Sequence, residues 1–255
     1  MTDNLNNKIA LVTGATSGFG KSITEKFVES GARVIATGRR AERLNKLCKD
    51  LGEKNLLPLC FDVRDQKDVF NKIQKLDRKW SKIDILVNNA GLALGLDSSH
   101  EANVDDWNEM VDSNCKGLMY VTLAISKGMV DRKQGHIINL GSVAGTYPYY
   151  GANIYGATKA FVHQFSLNLR ADLVDKNIRV TSVEPGAAKT EFSLVRFHGD
   201  FEKANKTYEG LNPIKPENVA EIIDFIAKAP PNININRIEI MASQQGFAGF
   251  NFVRE

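Results

Sequence analysis

The sequence has few residues of the kinds that build metal centres, disulfide frameworks or membrane spans. Its 255 residues include four histidines and three cysteines, Cys48, Cys60 and Cys115, with no CxxC pair and no metal-ligand spacing. We therefore expect no bound metal and reduced thiols, as is usual in the cytoplasm. No apolar run approaches the length of a membrane span, and residues 1–8 lack a hydrophobic signal region. These absences predict a cytoplasmic protein that has no membrane partner.

The chain also lacks a strong excess of charge of either sign. Lysine and arginine number 33 against 30 aspartates and glutamates, and the formal net charge is +3. A balance this small and this evenly spread gives no reason to expect nucleic acid as a partner. Hydrophobic residues make up 43% of the chain, which suits one globular domain over residues 1–255 with a sizeable core.

Apolar β-type runs alternate with amphipathic helical patterns along the whole chain. Strands are predicted at residues 9–13, 33–37, 56–61, 83–87, 135–140, 178–183 and 235–240. Helices are predicted directly after the first glycine-rich turn and at residues 41–51, 66–80, 104–130, 152–174 and 217–229. Seven strands alternating with about six helices predict a single-domain, doubly wound Rossmann fold, with a mostly parallel sheet and helices on both faces.

The turn after the first strand is rich in glycine and has the spacing GxxxGxG. It runs Gly14-Ala15-Thr16-Ser17-Gly18-Phe19-Gly20 and leads straight into a helical pattern. Glycines let the backbone approach a ligand closely, and the first N–H groups of the helix point at an anion. The context of strand, turn and helix favours a nucleotide pyrophosphate site over a purely structural turn.

Two arginines follow the second strand where a protein specific for NAD would carry an acidic residue. Guanidinium groups suit a phosphate ester, so Arg39 and Arg40 predict the 2′-phosphate of NADP. The alternative is a basic beginning to the next helix, but cations at a helix N-terminus oppose its dipole.

Small and polar residues close the third and fourth strands. Asp62-Val63 follows the third strand, and the fourth is followed by Asn88-Asn89-Ala90-Gly91. Asn114 lies inside the long helical pattern, where an asparagine is unfavourable without a partner. From the residues alone it is either a satisfied core amide or a functional one.

Tyr155 and Lys159 stand four residues apart in a predicted helix, so both side chains emerge on one face. An ammonium near a phenol favours the phenolate, which would lower the pKa of the tyrosine. Ser142 follows the fifth strand as a hydroxyl donor. A proton donor, a cation and a hydroxyl suit the reduction of a carbonyl or the oxidation of an alcohol.

The segment 187–216 has little periodicity and many charged and aromatic residues, which predicts a substrate lid. The tail after it carries Phe247, Phe250, Phe252 and Val253. Exposed aromatic side chains are unfavourable, so we expect the tail to be buried against a neighbouring subunit.

Taken in order, these motifs resemble the short-chain dehydrogenase/reductase family over essentially the whole chain. The stretches ATGRR, DILVNNAGLALG, YGATKAFV and TEFSLVRFHGD are similar to the NADP-dependent 3-hydroxy acid dehydrogenases of that family. The resemblance implies a homotetramer that exchanges hydride between NADP(H) and a small 3-hydroxy or 3-oxo acid, of the serine, 3-hydroxypropionate or malonic semialdehyde type. Ala187-Ala188-Lys189 departs from the apolar pair expected after the glycine, which affects the detail of the substrate loop.

The resemblance also implies a role for each motif. Tyr155 would be the acid/base, Lys159 would lower its pKa and hold the nicotinamide ribose, Ser142 would position the carbonyl, and Asn114 would anchor a relay water. The glycine-rich turn would hold the cofactor, with Arg39 and Arg40 at its 2′-phosphate and Asp62 and Val63 at its adenine. Asn89 would bind the adjoining ribose, together with Ala90 and Gly91. The nicotinamide would be lined by Pro185, Gly186 and Thr190. In the lid, Arg196 is the candidate for a substrate carboxylate, although a solvated arginine fits equally well.

Two other functions share parts of this pattern. A 3-oxoacyl-carrier-protein reductase has the same catalytic residues, and would want a basic patch for its acidic carrier. A nucleotide-binding regulator would sense NADPH without turnover. The combination of Ser142, Tyr155 and Lys159 argues against the regulator, since binding alone does not need a phenol acid.

Overall fold

The computed structural model describes residues 4–247, which form one sheet covered by helices on both faces. The sheet in this part of the chain has seven strands in the order β3-β2-β1-β4-β5-β6-β7, and all six pairings are parallel. The strands are β1 Ile9–Val12, β2 Arg33–Gly38, β3 Leu56–Cys60, β4 Ile85–Asn88, β5 Gly135–Leu140, β6 Ile178–Pro185 and β7 Arg237–Ile240. The predicted doubly wound fold is confirmed, and its sheet is parallel throughout.

The helices occupy the connections between these strands. They are α1 Gly18–Glu29, α2 Ala41–Leu51, α3 Gln66–Gln74, α4 Val104–Val111, α5 Leu118–Arg132, α6 Asn153–Leu173, α7 Phe192–Arg196, α8 Phe201–Lys206 and α9 Pro216–Lys228. Helices α1, α2 and α9 pack on one face of the sheet, and α3, α5 and α6 pack on the other.

The two faces of the sheet are separated by the alternation of side chains along each strand. In β1, Ala10 and Val12 join one core cluster, whereas Ile9 and Leu11 join the other. Successive side chains of a strand point to opposite faces, so a parallel strand buried on both sides is apolar at every position. This explains why the buried strands appear in the sequence as continuous apolar runs.

Most element boundaries differ from the sequence-based expectations by one or two residues, and three differences have a clear structural cause. Helix α3 ends at Gln74, and a turn in which the Trp80 amide donates to the Asp77 carbonyl at 2.8 Å takes the place of its predicted last turns. The helix predicted over residues 104–130 is interrupted by a π-helical segment, Asp112–Gly117. Strand β6 continues to Pro185 because its last residues pair with β7.

The sheet order reverses between β1 and β4, which places a crevice at their carboxyl ends, where ligands bind in folds of this type. No described helix is long and apolar enough to cross a membrane. Within residues 4–247 no group of three potential metal ligands lies close together, and the cysteines are free thiols.

The C-terminal tail is only partly within the described residues. Phe247 contacts Tyr147, with ring centroids 4.5 Å apart, but remains 66% exposed. Phe250, Phe252 and Val253, which the burial prediction also names, lie outside the described residues. Burial of the tail against another subunit stays a prediction.

Candidate active site

A cavity of about 590 Å³ opens at the carboxyl ends of the strands. Nearly every residue named above as a candidate for the cofactor, the substrate or catalysis contributes to its wall, and the exceptions are Gly20 and Asn114. The members are Gly14, Thr16, Ser17, Gly18, Phe19, Arg39, Arg40, Asp62, Val63, Asn89, Ala90, Gly91, Ser142, Tyr155, Lys159, Pro185, Gly186, Thr190 and Arg196. The fold therefore gathers residues from across most of the chain at one edge of the sheet.

The glycine-rich turn forms the floor at one end of the cavity. Gly14 and Gly18 have φ values of +67° and +51°, a region that side chains disfavour. Gly20 lies behind the turn, where a Cβ would come 2.3 Å from the Gly14 carbonyl oxygen. Helix α1 begins here, and Ser17 at its N-cap makes no capping bond with its side chain. Unbonded N–H groups in a tight backbone turn fit a pyrophosphate.

The ends of β1 and β4 are joined by polar contacts beside this turn. The Thr13 hydroxyl accepts hydrogen bonds from the amides of Asn89 and Ala90, at 3.0 and 2.9 Å. The Asn89 side chain donates to the carbonyls of Thr13 and Gly14, at 2.8 and 3.3 Å. This network joins the ends of β1 and β4 at the point where the sheet order reverses.

The arginines after β2 point in different directions. Arg39 is half-exposed, and its nearest acidic partners, Asp62 and Glu109, are 3.7 Å away. Arg40 is held closely by the Thr16 and Ser17 hydroxyls, at 2.6 and 2.7 Å. Arg39 thus keeps more of its hydrogen-bonding capacity for a ligand.

Asp62 is an ion-pair partner as well as part of the cavity wall. Arg64 donates to both of its carboxylate oxygens and also reaches Glu109 at 3.0 Å. Burial alone would raise the pKa of Asp62, but the hydrogen bonds from Arg64 lower it below its usual value. The carboxylate therefore stays ionised beside Arg39 at neutral pH.

Tyr155, Lys159 and Ser142 come together at the other end of the cavity, all at least nine-tenths buried. Helix α6 carries the tyrosine and the lysine, and Ser142 follows β5. The Ser142 hydroxyl donates to the Pro185 carbonyl at 3.3 Å. The helical spacing of four residues and the end of β5 thus bring a phenol, an ammonium and a hydroxyl together.

The pKa of Tyr155 is not lowered in the chain by itself. Burial raises it to about 12, and the positive charge of Arg196 opposes that shift. Lys159 lies over the face of the Tyr155 ring, with its Nζ 5.9 Å from the centroid, and donates to the Leu140 carbonyl at 2.8 Å. Burial lowers the pKa of Lys159 itself to about 8. Burial is thus the main influence on both pKa values, and a lowering of the Tyr155 pKa by Lys159 stays a prediction.

Asn114 lies within the π-helical segment, directly behind the loop that follows β4. Its amide donates to the Leu92 carbonyl at 2.8 Å and to Thr158 at 3.0 Å, and its oxygen accepts from the Leu92 amide at 2.9 Å. Its oxygen is also 3.0 Å from the position of a Cβ at Gly91. Of the two alternatives for Asn114, the contacts described are those of a satisfied core amide. π-Helical insertions often occur at functional sites.

Arg196 contacts aromatic rings at the mouth of the cavity. Its guanidinium carbon is 5.1 Å from the Tyr155 ring centroid and 5.0 Å from that of Phe192, and it donates to the Tyr149 hydroxyl at 2.9 Å. Its Nε is buried and has no acceptor among the described residues. A buried N–H without a partner is costly, so this position favours an anionic ligand.

Several cavity residues were missed by the sequence reasoning. Tyr147, Tyr149, Phe192, Tyr208 and Gln245 all line the cavity. The signals were present as the aromatic run before α6 and the aromatic residues of the lid, but neither shows which rings face the cavity. The Gln245 side chain reaches it from beyond β7 by accepting from the Ala187 amide at 2.7 Å.

Comparison with known proteins shows similarity over nearly the whole chain. The family model of short chain dehydrogenases matches residues 8–198. An NADP-dependent 3-hydroxy acid dehydrogenase of Salmonella typhimurium is 54% identical over 96% of this chain and 99% of its own length. Serine 3-dehydrogenase of Rhizobium radiobacter is 48% identical over 96% of this chain and 98% of its own. A structure described as the closed form of serine dehydrogenase complexed with NADP⁺ has a TM-score of 0.95 and 52% identity, covering 97% of this chain and 100% of that one.

Proposed function

Because the chain belongs to the short chain dehydrogenase family, we propose that it transfers hydride between NADP(H) and a small 3-hydroxy or 3-oxo acid, with Tyr155 as the acid/base. The names of its relatives support both the cofactor and the substrate class. The observation that carries the substrate class is the buried, unpaired Nε–H of Arg196 beside the Tyr155 ring.

Tyr155 and Ser142 both act on the substrate oxygen, each in a different way. When bound, the nicotinamide supplies or accepts the hydride at the substrate carbon. Tyr155 donates a proton to the substrate oxygen in reduction and removes it in oxidation. Ser142 donates a second hydrogen bond to the same oxygen and stabilises the charge that develops on it. The aromatic wall around Tyr155 keeps water away and strengthens both interactions.

Arg196 supplies the contact that selects an acid. Its Nε–H has no acceptor among the described residues, and a guanidinium can pair with both oxygens of a carboxylate. A substrate held in this way has its carboxylate near Arg196 and its reacting oxygen near Tyr155. The guanidinium carbon lies 5.1 Å from the centroid of the Tyr155 ring, so the two side chains are close enough to contact the same small substrate.

Residues at the far end of the cavity hold the cofactor. The unbonded N–H groups at the beginning of α1 bind the pyrophosphate, and Arg39 binds the 2′-phosphate. Tyr155 and Lys159 would hold the nicotinamide ribose, as the resemblance implies. Malonic semialdehyde, 3-hydroxypropionate and serine are the substrates to test first.

The first test is a spectrophotometric assay with malonic semialdehyde and NADPH or NADH, and with serine or 3-hydroxypropionate in the reverse direction. Turnover of the small acids with NADP(H) is expected. Turnover of acetoacetyl thioesters alone would instead indicate a 3-oxoacyl-carrier-protein reductase. Tight NADPH binding without any turnover would support the regulator.

The second test replaces Arg196 with methionine. We expect KM for acid substrates to rise about 30-fold, because a hydrogen bond to a charged group is lost, with a much smaller effect on neutral ketones. Lys203→Met is the matched control: it removes a cation from α8 in the same segment, and that side chain is exposed. Equal effects of Arg196→Met on acids and ketones would remove Arg196 from the substrate site.

A further inference from the structure

An ion pair joins the segment 187–216 to the nucleotide-binding half of the molecule. Glu191, the residue before α7, accepts hydrogen bonds from the Arg43 guanidinium on both carboxylate oxygens, each at 2.9 Å. Arg40 donates to the same carboxylate at 3.1 Å. Both arginines belong to the beginning of α2, so one acid connects the segment after β6 with the helix after β2.

All three guanidinium nitrogens of Arg40 donate hydrogen bonds to other residues of the protein. Its Nε and Nη2 donate to the Thr16 hydroxyl, its Nη2 also donates to Ser17, and its Nη1 donates to Glu191. Arg39 makes no contact this close, since its nearest acidic oxygens are 3.7 Å away. The neighbouring arginines therefore have different tasks, although they look equivalent in the sequence.

The residues on either side of Glu191 contact the two ends of the cavity. Thr190, before it, lies 3.3 Å from the position of a Cβ at Gly18 in the glycine-rich turn. Phe192, after it, packs against the Tyr155 ring with centroids 5.6 Å apart. Arg196 ends the short helix that begins at Phe192. A shift of Glu191 would therefore move groups that contact Tyr155.

We propose that Glu191 is a positioning residue that fastens the segment 187–216 over the cofactor through Arg40 and Arg43, while Arg39 recognises the 2′-phosphate. This inference rests on the proposed use of the cavity for NADP(H). Glu191, Arg40 and Thr16 all line that cavity, so their bonds close its rim beside the glycine-rich turn. With the bonds intact, a bound cofactor leaves only after the segment has moved.

The charges that this contact needs are present at neutral pH. Burial alone would raise the pKa of Glu191, but hydrogen bonds from Arg40 and Arg43 outweigh it and lower the pKa. The side chains remain about half exposed, so the bonds can open for release. Because the contact does not involve the 2′-phosphate, it should retain NADPH and NADH equally.

The test is the dissociation rate of NADPH and of NADH from Glu191→Gln, followed by the change in cofactor fluorescence after rapid mixing with excess NADP⁺ or NAD⁺. We expect both rates to rise by the same factor, about threefold to tenfold, as for loss of a partly exposed network of ion pairs. The melting temperature should not change. Glu202→Gln is the matched control, because that exposed acid of the same segment makes no ion pair within residues 4–247.

Arg39→Gln separates this inference from the proposed function. It should weaken NADPH binding far more than NADH binding, and equal weakening would count against the assigned 2′-phosphate site without affecting Glu191. For Glu191→Gln, unchanged rates for both cofactors would overturn the inference. Faster release of NADPH alone, or slower release of either cofactor, would also overturn it, since Glu191 would then act on the phosphate itself.

Discussion

The ionisable side chains are partly exposed at one end of the cavity and buried at the other. At the end formed by the glycine-rich turn and the beginning of α2, Arg39, Arg40 and Arg43 have side chains that are 53%, 44% and 47% exposed, and each lies near a carboxylate. At the catalytic end, Tyr155 and Lys159 are only 9% and 7% exposed. Burial raises the pKa of Tyr155 to about 12 and lowers that of Lys159 to about 8.

This difference separates binding from chemistry. Exposed ion pairs contribute little free energy each, so a phosphate can replace a carboxylate partner at small cost. Buried groups feel a low dielectric constant, so a single nearby charge changes their pKa strongly. In the proposed function, Arg39 therefore tunes cofactor affinity without affecting catalysis, whereas the charge of Arg196 acts on Tyr155 directly.

The sharpest way to separate the two ends is Tyr155→Phe. This change removes the proton donor and should lower kcat/KM by about 1000-fold or more, a typical contribution of general acid–base catalysis. NADPH affinity, measured by fluorescence titration, should stay nearly unchanged. A loss of folding or of cofactor binding would instead mean that the tyrosine is structural.

A smaller effect than that of Tyr155→Phe is expected from Arg196→Met, on the dependence of kcat on pH. Arg196 opposes the burial that raises the pKa of Tyr155, so its removal should raise that pKa further. Alcohol oxidation needs the phenolate as base, so the rise of its rate with pH should move to higher pH. The measurement is kcat against pH with a neutral alcohol, which makes no carboxylate contact. A profile identical to that of the unmodified protein would show that the charge of Arg196 does not reach Tyr155.

The smallest expected effect comes from salt. Raising the ionic strength about tenfold shortens the range of charge interactions to a few ångströms, which should weaken NADPH binding about threefold through the exposed arginines. The pH profile of kcat at saturating cofactor should not move, because the groups at the catalytic end are buried. A shift of that profile with salt would contradict the contrast between the two ends.

Much of the fold was predictable because its signals are local. Helix α2 and strand β5 have the predicted bounds. The apolar period of 3.6 residues in a helix and the apolar run of a buried strand can both be recognised from consecutive residues. The predicted end of α3 was wrong, and so was the prediction of an uninterrupted helix over residues 104–130. Both depend on contacts made elsewhere: the turn at Trp80 buries that ring in the core, and Asn114 bonds to the loop after β4.

The membership of the site was easier to predict than its geometry. Motifs at strand ends must meet at one edge of a parallel sheet, and the cavity contains almost all of the predicted residues. The direction of Lys159, which donates to the Leu140 carbonyl, has no signature in the sequence. The pairing of Glu191 with Arg40 and Arg43 also has no signature in the sequence, because about 150 residues separate the acid from the two arginines.

The sequence by itself determined the family, the order of strands and helices, and the residue types available for catalysis, because these follow from local periodicity and short motifs. Tertiary structure alone decided which arginine stays available to a phosphate, which rings surround Tyr155, and in which direction its pKa moves. Those properties depend on burial and on charges a few ångströms away, and both arise only when distant segments pack together.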